Sequence, residues 1–335
     1  MKEFSVGKND GGARLDRFVS KCVPLLPPSL AQKYIRLGRI KVGGRKAPRD
    51  TRLAPGDTVQ MYVNDEFFSE AREDAAYLRV TDPGLDIVYE DANILLVNKP
   101  AGVLCHSGGG FDYATLIARI QAYLYARREW NPRGENSFAP ALCNRIDRNT
   151  QGIVIAAKTA ETLRIVNEKI KTREIDKYYL AVAEGEPRPK SGELRGYLFK
   201  DAVKNMVFVS DEPRRGAQLA VTEYKTLASK SGLSLLECRL HTGRTHQIRA
   251  QLAHIGCPIL GDGKYGSEKS RRKYGESGQL LCSYKLTFSF RSDAGALGYL
   301  NGKTCALGSV GFADKYFPGI SYSSVTVFPE FDTVI

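Results

Sequence analysis

The 335-residue sequence has no apolar run of about 18 residues, which excludes an ordinary membrane-spanning helix. Its first residues, MKEFSVGKNDGG, lack the apolar core of a secretion signal, so we expect no export and a cytoplasmic location. The seven cysteines form no CxxC pair and no other metal-ligand spacing. This scatter predicts buried thiols in a reducing compartment rather than disulfides or zinc. Rossmann and P-loop fingerprints are also absent.

Positive charge is what the sequence has in excess, with a net charge of +12 and a pI near 9.3. Residues 13–52 hold eleven Lys or Arg and only two acids, so about an eighth of the chain carries +9 of that excess. An ordinary solvated face mixes both signs. The segment therefore predicts a surface that contacts phosphates.

The same segment predicts a small domain with two helices and a hairpin. "ARLDRFVSKCV" has a helical apolar stripe, and "SLAQKYIRLG" reads as a helix capped by Ser29 and Gly38. "RIKVGGRK" and "LAPGDTVQMYV" predict strands joined by turns. In this order the motifs resemble the alpha-L RNA-binding module, which implies contact with an RNA backbone. The implied RNA-contacting residues of this domain are Arg14, Arg17, Lys33, Arg36, Arg39 and Lys41.

A second, larger domain follows an acidic stretch without periodicity at residues 64–84. We predict the division as 1–75, the small α/β module with its linker, and 76–335, a catalytic domain. Strands such as "NILLVNK", "GIVIAAKT" and "LSLLECRL" alternate irregularly with a few helices. The predicted fold class is therefore α+β, with a mixed and largely antiparallel sheet.

The stretch "ALCNRIDRNTQGIVIAAKT" places Asp147 between Arg145 and Arg148, ahead of a buried strand. A lone aspartate is most often a surface or capping residue. Two flanking guanidinium groups favour an ionised carboxylate, and the apolar strand offers one wall of a pocket. Such a carboxylate is a candidate nucleophile or general base.

Two further blocks supply partners for this carboxylate. "LHTGRTHQIRAQLAHIG" predicts a helix carrying Arg244, His246 and Arg249, with one arginine that orients Asp147. His246 and His254 are eight residues apart, which does not suit a metal, so we predict no metal site. In "KYYLAVAEG", strand alternation sends Tyr178 and Tyr179 to opposite faces, one to the core and one to the site.

Together the three blocks resemble the RluA family of pseudouridine synthases, over residues 86 to 290. The family motif HRLDxxTxG reads "NRIDRNTQG" here, followed in order by the tyrosine strand and the arginine helix. The resemblance implies that Asp147 is the essential aspartate, that Arg249 pairs with it and that Tyr179 stacks on uracil. It further implies that Arg145 fills the space left by a flipped uridine. Arg148, Arg244 and His246 are further implied RNA contacts, and Leu280 or Leu281 lines the base pocket.

The resemblance implies an isomerase that needs no cofactor and acts on structured RNA, with large-subunit ribosomal RNA favoured and transfer RNA the alternative. We expect a monomer. Asn144 stands where the family has His, which predicts altered RNA contacts rather than lost activity. The segment after residue 290 fits the family poorly. A non-catalytic RNA-binding protein and a glycosidase-like hydrolase with paired acids are the rival interpretations.

Overall fold

The computed structural model of the chain describes residues 1–68, 76–107, 114–201, 204 and 206–322. Two separate sheets are present, one of four strands near the N-terminus and one of eleven strands. The larger sheet is mixed and largely antiparallel, so the predicted α+β class is confirmed. The predicted domain boundary follows residue 75, which is the last of residues 69–75. These seven residues lie outside the described residues.

The small sheet has the order β1–β4–β2–β3 and carries two helices over its own apolar core. Its elements are β1 (Lys2–Ser5), α1 (Leu15–Cys22), α2 (Pro28–Leu37), β2 (Ile40–Val42), β3 (Arg45–Lys46) and β4 (Thr58–Met61). Gly38 ends α2 in the left-handed conformation, as predicted. The predicted Ser29 cap is wrong, because the helix begins at Pro28 with Pro27 as its N-cap, two residues earlier.

The large sheet has the order β11–β10–β12–β13–β9–β14–β8–β6–β5, with β15 paired to β14 and β7 to β8. Its strands are β5 (Ile87–Glu90), β6 (Ile94–Lys99), β7 (Ala141–Leu142), β8 (Gln151–Ala157), β9 (Ile175–Glu184), β10 (Ser191–Asp201), β11 (Met206–Ser210), β12 (Gln218–Lys230), β13 (Leu233–Leu240), β14 (Leu281–Phe288) and β15 (Thr304–Ala306). Its helices are α3 (Leu116–Ala126), α4 (Ala160–Lys171), α5 (Gln247–His254), α6 (Glu268–Tyr274) and α7 (Gly311–Tyr316). In the described parts of the chain, no helix has the length and apolarity needed to cross a bilayer.

Apolar residues on the two faces of the large sheet form separate cores. One face packs under α3 and α5 and includes Tyr179 and Leu281. The other packs under α4 and the C-terminal segment and includes Leu280. The segment after residue 290 belongs to this second core, since Leu297, Leu300 and Val310 are at most 1 % exposed. Its apolar residues therefore cover a sheet face, although its sequence fits the family poorly.

Strands β8 and β14 are the one parallel pair in the large sheet among the described strands, and Gly152 sits opposite Ser283 there. Gly152 has φ +115°, and a Cβ on it would lie 2.2 Å from the Ser283 carbonyl oxygen. No side chain fits such an approach, so the glycine sets how closely the two strands meet. This contact positions the loop that precedes β8.

Gly152→Ala is expected to lower the free energy of unfolding by about 1–3 kcal/mol, because the methyl group forces β8 and β14 apart. Urea unfolding of the purified protein measures the change. Gly232→Ala is the matched control, since Gly232 has φ +77° but nothing within 4 Å of its added Cβ. Equal losses in the two variants would show that backbone strain, and not the strand contact, sets the cost.

Polar side chains join the small domain to the large one. The Asn136 Nδ2 group donates to the Ser5 carbonyl at 2.6 Å and to Asp10 Oδ2 at 2.9 Å. Asn9 bonds Glu135 at 2.6 Å, and its Oδ1 accepts from the first amide of α4, Ala160 N, at 3.2 Å. Asp10 is 1 % exposed, whereas the bond from Asn136 to the Ser5 carbonyl is open to solvent. These bonds fix the basic domain relative to the large sheet.

Candidate active site

Asp147 lies in the loop between β7 and β8, which a tight turn closes. The Asp147 carbonyl accepts from Thr150 N at 3.1 Å, and Thr150 Oγ1 accepts from Gln279 at 2.7 Å. Ile146 is buried beneath the loop at 7 % exposure. The Asp147 side chain is 26 % exposed and faces a cavity. The loop thus holds a carboxylate that is partly open to solvent.

Arg249 of α5 orients this carboxylate and is itself held by a buried acid. Its Nη1 donates to Asp147 Oδ2 at 2.8 Å, while Nε and Nη2 donate to Asp262 at 2.7 and 2.9 Å. Asp262 Oδ1 also accepts from the Lys264 and Tyr265 amides. Burial alone would raise the pKa of Asp262, but these hydrogen bonds outweigh it and leave that pKa below its usual value. The guanidinium therefore has a fixed orientation.

His246 is beside Asp147. The sequence predicted this residue inside the helix, and that prediction is wrong. α5 begins at Gln247. His246 caps it with φ +55°, a backbone conformation that residues other than glycine rarely adopt. Tyr265 Oη accepts from Val207 N at 2.8 Å and lies 2.9 Å from His246 Nδ1. The other ring nitrogen, Nε2, faces Asp147. That nitrogen is 3.9 Å from Asp147 Oδ2, and burial lowers the pKa of His246.

Apolar and aromatic side chains form the walls of the cavity. Tyr179, Leu281, Ile146 and Leu240 line it together with Asp147. Burial raises the pKa of Tyr179, so its phenol stays protonated at neutral pH. Leu280, the other candidate for the base pocket, packs into the core on the opposite sheet face and does not line this cavity. Adjacent residues along an extended chain project to opposite faces of a sheet, which explains why Leu281 lines the cavity and Leu280 does not.

The arginines that flank Asp147 in sequence do not pair with it among the described residues. Arg148 donates from Nε to the Gly102 carbonyl at 3.0 Å. Arg145 is exposed and lines a groove that adjoins the cavity. Arg244 lines both spaces and donates to the Leu219 carbonyl at 3.2 Å. The carboxylate's partner comes instead from α5, about a hundred residues along the chain.

Lys99 is a residue of the site that sequence reasoning missed. It is fully buried, and its Nζ donates to the carbonyls of Pro100, Val103 and Arg148 at 2.8–2.9 Å. Burial lowers the pKa of Lys99 to about 8, so the ammonium still carries three protons at neutral pH. The lysine ties the turn after β6 to the residue following Asp147. The sequence feature that could have indicated it is a charged residue at the end of the apolar run "ILLVNK".

Asn144, where the family has His, has an internal role. Its Oδ1 accepts from the buried Ile155 amide of β8 at 2.8 Å. A histidine ring nitrogen at this position is also an acceptor. The exchange therefore preserves the bond that ties the Asp147 loop to β8.

Asn144→Ala is expected to cost about 1–2 kcal/mol in the free energy of unfolding, because the Ile155 amide loses its acceptor. Asn144→His should lose clearly less. Urea unfolding measures both, with Asn301→Ala as the control, since Asn301 Oδ1 accepts from the Phe290 amide at 2.7 Å in an exposed setting. Equal destabilisation by Ala and His would contradict the internal role.

The basic residues of the small domain divide into paired and unpaired groups. Arg14 pairs with Asp16 at 2.7 Å, whereas Arg39 and Lys41 lie over the rings of Tyr34 and Tyr62. Lys33 and Arg36 line a groove along α2, and Arg17 lies on α1. That groove is lined by Ser29, Gln32, Lys33, Ile35, Arg36, Lys46, Ala47, Pro48 and Arg49. In the part of the chain that the structure describes, this lining includes no acid.

Within the described ranges, no group of three or more His, Cys, Asp or Glu side chains is arranged to hold a metal ion. The described cysteines are free thiols.

Comparison with known proteins identifies the family of this chain. The family described as RNA pseudouridylate synthase matches residues 93–254, which include Asp147, Tyr179 and Arg249. An uncharacterized RNA pseudouridine synthase of Mycoplasma genitalium is 31% identical over 289 residues, covering 85% of this chain and 88% of that protein. The ribosomal large subunit pseudouridine synthase C of Rickettsia bellii is 30% identical, with 77% and 84% covered.

A solved structure, human RNA pseudouridylate synthase domain containing 4, has the same fold with a TM-score of 0.50 at 24% identity. It covers 66% of this chain and 87% of that chain. The sequence relationship and the shared fold give one conclusion. The chain belongs to the RNA pseudouridylate synthase family, in its RluA branch, and is an isomerase that acts on RNA.

Proposed function

We propose that this enzyme isomerises specific uridines in large-subunit ribosomal RNA, with Asp147 acting on a nucleotide flipped into its cavity. The observation that carries the proposal is the Asp147 carboxylate. It is 26 % exposed, faces a cavity walled by Tyr179 and Leu281, and is oriented by Arg249 at 2.8 Å. The Rickettsia bellii relative, named for the large ribosomal subunit, supports that RNA as substrate.

The reaction sets the demands on this carboxylate. The bond between the sugar C1′ and uracil N1 breaks, the ring turns, and C1′ bonds to C5 while the C5 proton leaves and N1 gains one. Atoms and electrons balance, so no cofactor is required. Asp147 acts either as a nucleophile or as a base that removes the C2′ proton. Deuterium at C2′ separates the routes, because only the second predicts a primary isotope effect.

The geometry of the cavity supports base flipping as part of this proposal. A uracil stacked in a helix cannot reach a recessed carboxylate, so the nucleotide must leave the stack. Unstacking costs roughly a few kcal/mol. Tyr179 offers an aromatic face to the extruded ring. Arg145 is exposed beside the cavity and is suited to occupy the vacated position in the RNA.

The small domain, residues 1–75, holds the surrounding RNA in this proposal. Its groove along α2 carries Lys33, Arg36, Lys46 and Arg49 without an acid in its lining. Such a surface contacts phosphates without reading bases, so affinity should fall steeply with salt. The bonds from Asn136 to Ser5 and Asp10 keep this domain in a fixed relation to the cavity.

Tritium release from RNA labelled at uridine C5 tests the activity, and comparison of total RNA from strains with and without the gene maps the target. We expect release without free uracil, and a missing modification in large-subunit ribosomal RNA. Release of free uracil would instead indicate a hydrolase. A missing modification in transfer RNA alone would refute the proposed substrate.

A further inference from the structure

A groove opens from the Asp147 cavity and carries positive charge. Asp147, Tyr179, Leu240 and Arg244 line both spaces, so the groove and the cavity are continuous. The groove is further lined by Cys143, Asn144, Arg145, Ile170, Lys177, Gly243 and Thr245. Among the described residues, the groove has one acid, Asp147, which is already paired with Arg249. Three basic side chains of the described lining therefore face the groove without an acid of their own.

Of the three basic residues, Lys177 is the one whose position is least explained by its contacts within the protein. It precedes Tyr179 by two residues on β9, so both side chains project from the same sheet face toward the groove. The lysine is half-buried, and in the described structure its ammonium has no hydrogen bond and no ion pair. Its sequence neighbour Asp176 lies on the opposite face, where it binds Arg239 at 2.9 Å.

A partly desolvated ammonium without a partner costs folding free energy. Burial lowers the pKa of Lys177 and outweighs the attraction of the neighbouring Asp176 carboxylate, so the ammonium still pays a net cost of desolvation. The charge is therefore best explained by a ligand that pairs with it when bound. A flipped nucleotide brings such groups, since its sugar stays attached to one phosphate on each side. These anions must lie at the mouth of the cavity that receives the base.

We infer that Lys177, with Arg244, forms a binding site for a backbone phosphate next to the flipped uridine. This inference rests on the proposed function, because it takes the Asp147 cavity as the place of the uracil. Lys177 supplies a charge-assisted hydrogen bond to the phosphate, and Arg244 guides the adjoining part of the strand. A uracil carbonyl is a poorer partner, because a neutral acceptor does not compensate a desolvated ammonium.

The test compares two small ligands, uridine 3′,5′-bisphosphate and uridine, by isothermal titration calorimetry. We expect the wild-type protein to bind the bisphosphate more tightly, and Lys177→Met to reduce that affinity about 10-fold or more while uridine affinity stays the same. Lys177→Arg should keep most of the preference. Lys190→Met is the control, since Lys190 is 76% exposed, pairs with Glu186 at 3.7 Å and does not line the groove.

Two results would overturn the inference: no preference for the bisphosphate in the wild type, or an unchanged preference in Lys177→Met. Thermal unfolding checks that the variant is folded, and Lys177→Gln replaces it if it is not. The proposed function is judged separately, by tritium release from RNA and its loss on changing Asp147. Intact release with no role of Lys177 in phosphate binding refutes this inference alone.

Discussion

Asp147→Asn is expected to reduce pseudouridine formation by at least about 10³-fold and to leave RNA binding nearly unchanged. The amide has the shape of the carboxylate, and its Oδ1 still accepts the Arg249 hydrogen bond that is 2.8 Å long in the wild type. It lacks the negative charge, so it neither attacks C1′ nor removes a proton. Tritium release under single-turnover conditions and filter binding of the same RNA measure the two effects.

Asp211→Asn is the control for this exchange, because Asp211 is 79% exposed and contacts only the surface residue His254 in the described structure, at 3.2 Å. It should keep full turnover. If Asp147→Asn retains a tenth of wild-type release, the carboxylate is not the reacting group. If it loses RNA binding together with turnover, its charge acts on the fold of the loop instead.

Local patterns were sufficient for much of the large domain. Short apolar runs predicted β6, β8, β9 and β13, and the motif around Asp147 predicted a carboxylate beside an apolar strand. Alternation along β9 predicted that only one of Tyr178 and Tyr179 faces the site, and Tyr179 is the one that lines the cavity. These features depend on neighbours in the sequence, which the sequence displays directly.

The family resemblance implied the pairing of Arg249 with Asp147, but other features that depend on distant contacts were not predicted. Asp262 sits in a glycine-rich loop with no periodicity, and only the fold shows that it is buried against Arg249. The left-handed His246 shortens α5 because the chain must turn there to bring the imidazole between Asp147 and Tyr265. The segment after residue 290 is joined to the large sheet by the pairing of β15 with β14.

Arg249→Met is expected to lower the free energy of unfolding by about 3–5 kcal/mol and to abolish turnover. The change removes both hydrogen bonds to Asp262, which is fully buried, and leaves its charge without a partner. In the wild type the pKa of Asp262 is below its usual value, so the pair stabilises the fold above about pH 4 and loses that effect as pH falls further. The stability gap between wild type and variant should therefore narrow in acid, which urea unfolding at several pH values measures.

A second substitution separates the unpaired charge from the lost side chain. In Arg249→Met/Asp262→Asn, the amide oxygen still accepts from the Lys264 and Tyr265 amides, which bond Asp262 Oδ1 at 2.9 and 3.2 Å in the wild type. This double variant should recover part of the stability, yet no turnover, because nothing orients Asp147. Arg239→Met is the matched control, since the Arg239 pair with Asp176 is 29% and 17% exposed and should cost clearly less. A double variant no more stable than Arg249→Met would show that the buried charge is not the source of the loss.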